Sequence, residues 1–143
     1  STMTPDDDRK PKRVTGLGGV FFKSRDSAPT LEWYRTHLGI DSEDWGGFAF
    51  QWTEKERPSE TGYTVWGAFP ESTDYFSPSE RPFMFNFRVA DLEGLLEALK
   101  AEGVTIVGEM QEHPNGKFAW ILDPEGTKIE LWEPVPSAED PYL

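Results

Sequence analysis

Residues 84–103 read MFNFRVADLEGLLEALKAEG. Phe85, Phe87 and Val89 are apolar and alternate with Met84, Asn86 and Arg88, the period of a strand with one covered face. Asp91 follows, a residue type whose short acidic side chain can accept from the orphan N–H groups that open a helix. Leu92, Leu95, Leu96 and Leu99 then recur at i, i+3, i+4 and i+7, which places them on one helix face. Gly103 closes the run, as a residue that enters the left-handed region at little cost.

The same order of signals occurs earlier in the chain. Residues 20–24 (VFFKS) are β-prone, Asp26 is a second N-cap candidate, and Pro29 falls in the first turn, where a missing N–H costs little. Leu31, Tyr34 and Leu38 form a helix face, and Gly39 stops it. The strands (Val20 to Phe85) and the caps (Asp26 to Asp91) are each 65 residues apart, and the stop glycines 64. A repeat of this regularity implies two copies of one supersecondary unit.

Strands follow each helix. In the first half, residues 47–52 and 63–69 flank a polar loop. In the second half, residues 104–107 lead to a turn at Asn115-Gly116, then residues 118–122, a type I turn at Asp123-Pro124-Glu125-Gly126, and residues 128–132. Each half reads β-α-β-β-β. The spacing predicts one domain over residues 15–134, with module one at 15–69, a linker at 70–82 and module two at 83–134. Residues 1–14 and 135–143 read as tails. The linker carries two aromatics, Tyr75 and Phe76, which this reading leaves at the surface.

Composition narrows the function. Six Trp and ten Phe exceed what a 143-residue core needs, so some are expected to line a pocket. With no cysteine, disulfides and thiolate metal sites are excluded. A formal net charge of −12 disfavours nucleic acid and anionic membrane surfaces as partners, since both need a basic footprint. No apolar run reaches transmembrane length and no signal-like h-region is present, so cytoplasmic residence is expected.

Alternation puts Val20, Phe22 and Ser24 toward the first helix and Gly19, Phe21 and Lys23 on the opposite face. In module two it puts Phe85, Phe87 and Val89 toward the helix and Met84, Asn86 and Arg88 away from it. Lys128, Glu130 and Trp132 share a face on the last strand, with Trp120 beside them. A carboxylate enclosed there would be a metal ligand, a partner of Arg88 or Lys23, or a general base.

Residues 20–40 (VFFKSRDSAPTLEWYRTHLGI), 87–104 (FRVADLEGLLEALKAEGV) and 123–134 (DPEGTKIELWEP) carry a resemblance. Together with the repeat they resemble the glyoxalase/bleomycin-resistance/dioxygenase superfamily, the vicinal oxygen chelate fold. The resemblance implies an α+β fold, two tandem βαβββ modules forming a U-shaped mixed sheet around a cleft. It also implies a divalent metal such as Zn, Ni, Fe or Mn, held by His, Glu or Gln from the first and last strands of each module. Carried over, those positions are Gly19, Met84, Val65 or Trp66, and Glu130, and only Glu130 can coordinate. A catalytic metal normally needs about three protein ligands. His37 falls late in a helix and His113 in a hairpin loop; Gln51, Glu54 and Glu109 are further donors that nothing in the sequence directs inward.

The reading is therefore of a protein that binds a small organic molecule in an aromatic cleft, with no cofactor expected and a divalent metal only if residues outside the family positions rebuild a site. Phe21, Trp66, Trp120 and Trp132 are the expected walls. Lys23, Met84, Asn86 and Arg88 are expected to contact the ligand, and Glu130 supplies the carboxylate. The alternative is a glyoxalase-like lyase or isomerase, metal-dependent or with Glu130 as general base. The resemblance also implies a homodimer.

Overall fold

The computed structural model describes residues 13–143; the start of the expected N-terminal tail lies outside them. The elements run β1 (Val14–Ser24), α1 (Ser27–Leu38), β2 (Gly47–Thr53), β3 (Thr61–Pro70), β4 (Phe83–Val89), α2 (Leu92–Ala101), β5 (Ile106–His113), β6 (Gly116–Leu122), β7 (Lys128–Pro134) and a 3-10 turn at Ser137–Glu139. Both N-cap aspartates are extended as a cap requires. Asp91 accepts from Gly94 N at 3.1 Å, whereas the Asp26 side chain makes no capping bond. Gly39 sits at φ 70 and Gly103 at φ 81, the left-handed stops that the repeat predicts.

The strands form one seven-stranded mixed sheet in the order β2-β3-β1-β4-β7-β6-β5. β1 and β4, the first strands of the two modules, meet antiparallel at the centre. Each lies parallel to the last strand of its own module, β1 to β3 and β4 to β7. The fold is the α+β architecture implied by the repeat, with one difference in strand count. Module two has three strands after its helix and module one has two. Residues 40–46, which would supply the missing strand, instead turn through Gly46 N→Glu43 O at 2.9 Å and join β3 through Ala68 N→Gly46 O at 3.1 Å.

The core lies on both faces. On the helix side, Leu92 and Leu95 of α2 pack with Val89, Ala119 and Leu131. On the opposite side, Met84 and Trp120 pack with Phe76 from the linker. Two expectations are corrected here. Phe85 is 36% exposed, because α1 lies over β3 and α2 over β6 and β7, which leaves the central β4 partly uncovered. Phe76 is 0% exposed, because the linker folds back over the sheet face away from the helices.

The residues after β7 are also tied down. Asp140 is buried and accepts from Tyr63 OH at 2.8 Å and from Tyr142 N at 2.9 Å. Ser137 donates through N and Oγ to Glu60 at 3.1 and 3.0 Å. These bonds carry the chain back across to module one.

Candidate functional site

Strand register builds the site as a row. Ala49, Val65, Gly19, Asn86, Glu130, Trp120 and Val107 are successive cross-strand partners from β2 to β5. Cross-strand partners share a face, so these seven residues line one traverse of the sheet on the side away from the helices. Glu130 sits near the middle, 4% exposed. Its Oε1 accepts from Asn86 Nδ2 at 2.6 Å, and its Oε2 accepts from Trp120 Nε1 at 2.9 Å. The Tyr75 hydroxyl donates to Oε2 as well. A buried carboxylate needs such partners, because an uncompensated charge there would cost several kcal/mol.

Tyr75 comes from the linker, where the sequence alone leaves it at the surface without a role. It is 37% exposed, yet its ring stacks on Phe69 at 5.5 Å and 8°. Lys128 Nζ donates to the Tyr75 carbonyl at 2.7 Å and lies over the Tyr75 and Trp120 rings. Burial pushes the Tyr75 phenol well above the usual tyrosine range, and the Glu130 charge pushes the same way. Burial lowers the Lys128 ammonium, and Glu130 partly opposes that shift. The consecutive aromatics in a Pro- and Ser-rich linker were the signal for this segment. An aromatic pair in a loop is informative because exposing both would be wasteful of apolar surface.

A tight glycine supports the row. A Cβ on Gly18 would lie 2.0 Å from Asn86 Oδ1 and 3.0 Å from Trp132 Cε3. Only glycine fits there, at an irregularity in the β1–β4 pairing between Leu17 and Gly19. Among the described residues, Asn86 Oδ1 itself has no hydrogen-bond partner.

The other expected residues divide. Met84 is fully buried against Phe76 and Trp120 and forms part of the floor. Phe21 meets Phe69 edge-on at 5.6 Å, and Lys23 Nζ lies 5.7 Å from the Phe76 ring centre. Trp132 is buried, stacks on Phe118 at 5.7 Å and 7°, and donates to Asn115 O at 3.0 Å. Trp66 is not a wall of the cleft. Its ring packs at 4.8 Å on Tyr34 of α1 and 5.2 Å on Phe22, because its strand position points to the helix side. Arg88 shares the strand face of Asn86, but it lines a different cavity from Glu130. His113, expected to stay clear of the cleft, lines the small cavity of about 260 Å³ that opens on Glu130, with Tyr75, Phe118, Trp120 and Tyr142.

A larger groove of about 990 Å³ adjoins this cavity through Asn115 and Tyr142, which line both. Trp45, Phe48, Phe50, Gln51, Tyr63 and Val65 form its module-one side. Trp45 stands over two glycines: a Cβ at Gly47 would meet its ring at 2.2 Å, and one at Gly67 at 3.8 Å. The indole is half exposed, with Nε1 donating to Glu43 Oε2 at 2.7 Å. Of these, the sequence alone points only to Gln51 and to Val65. The Trp45-Gly46-Gly47 run was the available clue, since a glycine pair beside an indole makes room for its ring.

A family model described as Glyoxalase/Bleomycin resistance protein/Dioxygenase superfamily matches residues 16–131. The chain belongs to this superfamily. Its sheet is similar to methylmalonyl-CoA epimerase from Mycobacterium tuberculosis (24% identity, 91% of this chain and 95% of that chain, TM-score 0.56). A methylmalonyl-CoA epimerase variant from Streptomyces coelicolor, in complex with 2-nitronate-propionyl-CoA, is similar at 14% identity (85% and 99%, TM-score 0.60). The 2,3-dioxygenase LapB from Pseudomonas sp. KL28 is similar at 24% identity, over 85% of this chain and 41% of that one, with TM-score 0.52. No curated protein matches the sequence.

The metal of this superfamily does not fit the residues present. The row that holds Glu130 puts Gly19 and Val65 where donors would be needed, and Met84 is packed into the floor. Both Glu130 oxygens already accept from protein donors. Among the described residues, no group of three or more His, Cys, Asp or Glu side chains is placed to hold a metal ion.

Proposed function

We propose that this superfamily member binds a small organic molecule, without a catalytic metal, in the open groove between the β2–β3 hairpin and the Asn115–Tyr142 side. The observation that carries the reading is a division within the cleft. Around Glu130 the cleft is narrowed to a small cavity by the chain's own Met84, Phe76, Trp120 and Tyr75, while beside it the groove stays open and aromatic. A volume of about 990 Å³ lies at the upper end of small-molecule sites, and apolar walls with a few polar groups are their usual chemistry. Trp45 and Phe50 supply exposed ring surface, and Gln51 and Asn115 supply hydrogen-bonding groups. A flat aromatic ligand suits these walls, and the excess of acidic residues favours a cationic one. The protein is read as a cytoplasmic homodimer, with mass by light scattering as the check on assembly.

The test is a fluorescence and thermal-shift screen of flat aromatic and cationic compounds against the full chain and a Trp45→Ala variant. Saturable binding that weakens at least tenfold in the variant supports the groove. Binding untouched by Trp45→Ala, together with loss in Glu130→Gln, moves the site to the small cavity. Stoichiometric metal after dialysis against a mild chelator and add-back of Zn, Ni, Mn and Fe(II) overturns metal independence.

A second reading is a metal-free lyase or isomerase in which Glu130 takes a proton from a carbon acid. The cavity of about 260 Å³ that reaches Glu130 favours it. Glu130→Gln would then lower turnover by about 10²–10⁴-fold, and unchanged turnover would remove it.

A further inference from the structure

Arg88 is 6% exposed, and its guanidinium carbon lies 4.8 Å from the Trp132 ring centre, 5.1 Å from Trp52 and 5.9 Å from Tyr63. Among the described residues its guanidinium makes no hydrogen bond and no ion pair, and Nη1 is buried without a partner. Aromatic faces compensate part of the positive charge but satisfy none of the N–H donors. Buried charges are ordinarily paired, and leaving one unpaired costs several kcal/mol. Burial accordingly pulls the Arg88 guanidinium below its ordinary range.

Among the described residues, the carboxylates whose fields reach Arg88 are committed elsewhere. Glu54 takes Arg57 Nη2 at 3.0 and 2.9 Å. Glu60 takes Ser137, and Asp140 takes Tyr63 and Tyr142. Arg88 lines a cavity of about 670 Å³ bounded by the β2–β3 loop, the end of β4 and residues 133–137. Glu130 and Trp45 do not line it.

We propose that this cavity is a second ligand site, in which Arg88 receives the carboxylate of a small monoanionic molecule. Its N–H edge is the recognition surface left once the rings surround it, and a planar carboxylate matches that edge two bonds at a time. The same walls carry Glu54, Glu56, Glu60 and Glu133 against Lys55 and Arg57, so a dianion such as phosphate meets more repulsion than a monocarboxylate. This inference stands apart from the groove reading and does not depend on it.

The test follows the Arg88 Nε–Hε and the Trp52 and Trp132 indole N–H signals by NMR in the full-length chain. Sodium acetate, sodium benzoate and inorganic phosphate are titrated against sodium chloride at equal ionic strength. The expected result is a saturable shift of all three signals with acetate or benzoate, a weaker one with phosphate, and loss of the response in Arg88→Gln. No saturable response to either carboxylate overturns the site, and an equal response to phosphate overturns the choice of carboxylate. Stability in carboxylate-free buffer supplies an independent reading. Arg88→Met, which keeps apolar bulk against the three rings while removing the unpaired buried charge, should melt no lower than the parent. A lower melting temperature would mean that the chain itself supplies the partner, and would overturn the proposal. Glu54→Gln should leave the carboxylate response unchanged; a much stronger response would mean that Glu54 is the partner Arg88 holds in the free protein, and would overturn the proposal.

Discussion

Replacing Glu130 by Ala and by Gln should give opposite results, and the contrast tests what the carboxylate does for the fold. In Glu130→Ala the Asn86 and Trp120 donors lose their acceptor in a buried setting, while the Tyr75 hydroxyl can rotate toward solvent. Each stranded buried donor costs about 1–3 kcal/mol, and the space left by the side chain adds to this. A loss of about 3–5 kcal/mol follows, or roughly 10 °C in melting temperature at about 2–4 °C per kcal/mol for a domain near this size. In Glu130→Gln a carbonyl can stay at the Oε2 position, under Trp120 and Tyr75. The new amide then faces Asn86, whose own amide can turn so that the currently unpaired Oδ1 accepts from it. The weaker neutral bonds cost about 1 kcal/mol each, and the smaller burial penalty of an amide offsets most of that. The expected change is within about 1 kcal/mol, estimated from these two effects. Calorimetric melting with near-ultraviolet dichroism of the tryptophans reads both variants. Equal destabilisation by Gln and Ala would refute the reasoning, since it would mean that the negative charge itself, paired with Lys128, holds the site.

Three further outcomes are expected. Gly18→Ala should cost about 1–3 kcal/mol by overpacking, since its Cβ would lie 2.0 Å from Asn86 Oδ1; denaturant titration measures it, and a neutral result would mean that β1 shifts freely. Asp140→Ala should loosen the segment after β7, because Tyr63 OH loses its acceptor at 2.8 Å, and faster amide exchange at residues 137–142 is the readout. The phenols of Tyr63 and Tyr75 are both raised, first by burial and then by Asp140 or Glu130, so the folded state holds these protons where the unfolded chain releases them. Their contribution to stability is complete below the ordinary tyrosine pKa of about 10 and falls as pH rises above it. Melting temperature should therefore drop on the alkaline side, and Tyr63→Phe with Tyr75→Phe should blunt that drop.

The site was only partly legible. Glu130, Asn86, Trp120 and Trp132 were placed together from alternation alone, because neighbouring strands in a sheet keep their faces aligned. The facing of Trp66 was not legible, because the parity of β3 depends on its register with β1, and that register pairs Val65, not Trp66, with Gly19. A shift of one residue flips every side chain to the other face. Tyr75, Phe76 and Trp45 lie in connections without periodicity, so no spacing rule told which way they point.

What the sequence by itself determined is the architecture. Two helix patterns, each led by an N-cap-type aspartate 65 residues from its counterpart and ended by a glycine, specify two copies of one unit, because such start, stop and apolar-period signals are local and act within a few residues. What only the tertiary structure decided is which side chains meet. The linker's Tyr75 reaches Glu130 across 55 positions, and Tyr63 reaches Asp140 across 77. Arg88 comes to rest among three aromatic rings with, among the described residues, no carboxylate to pair it. Such contacts depend on how connections fold over a finished sheet, and no local pattern in the chain encodes that.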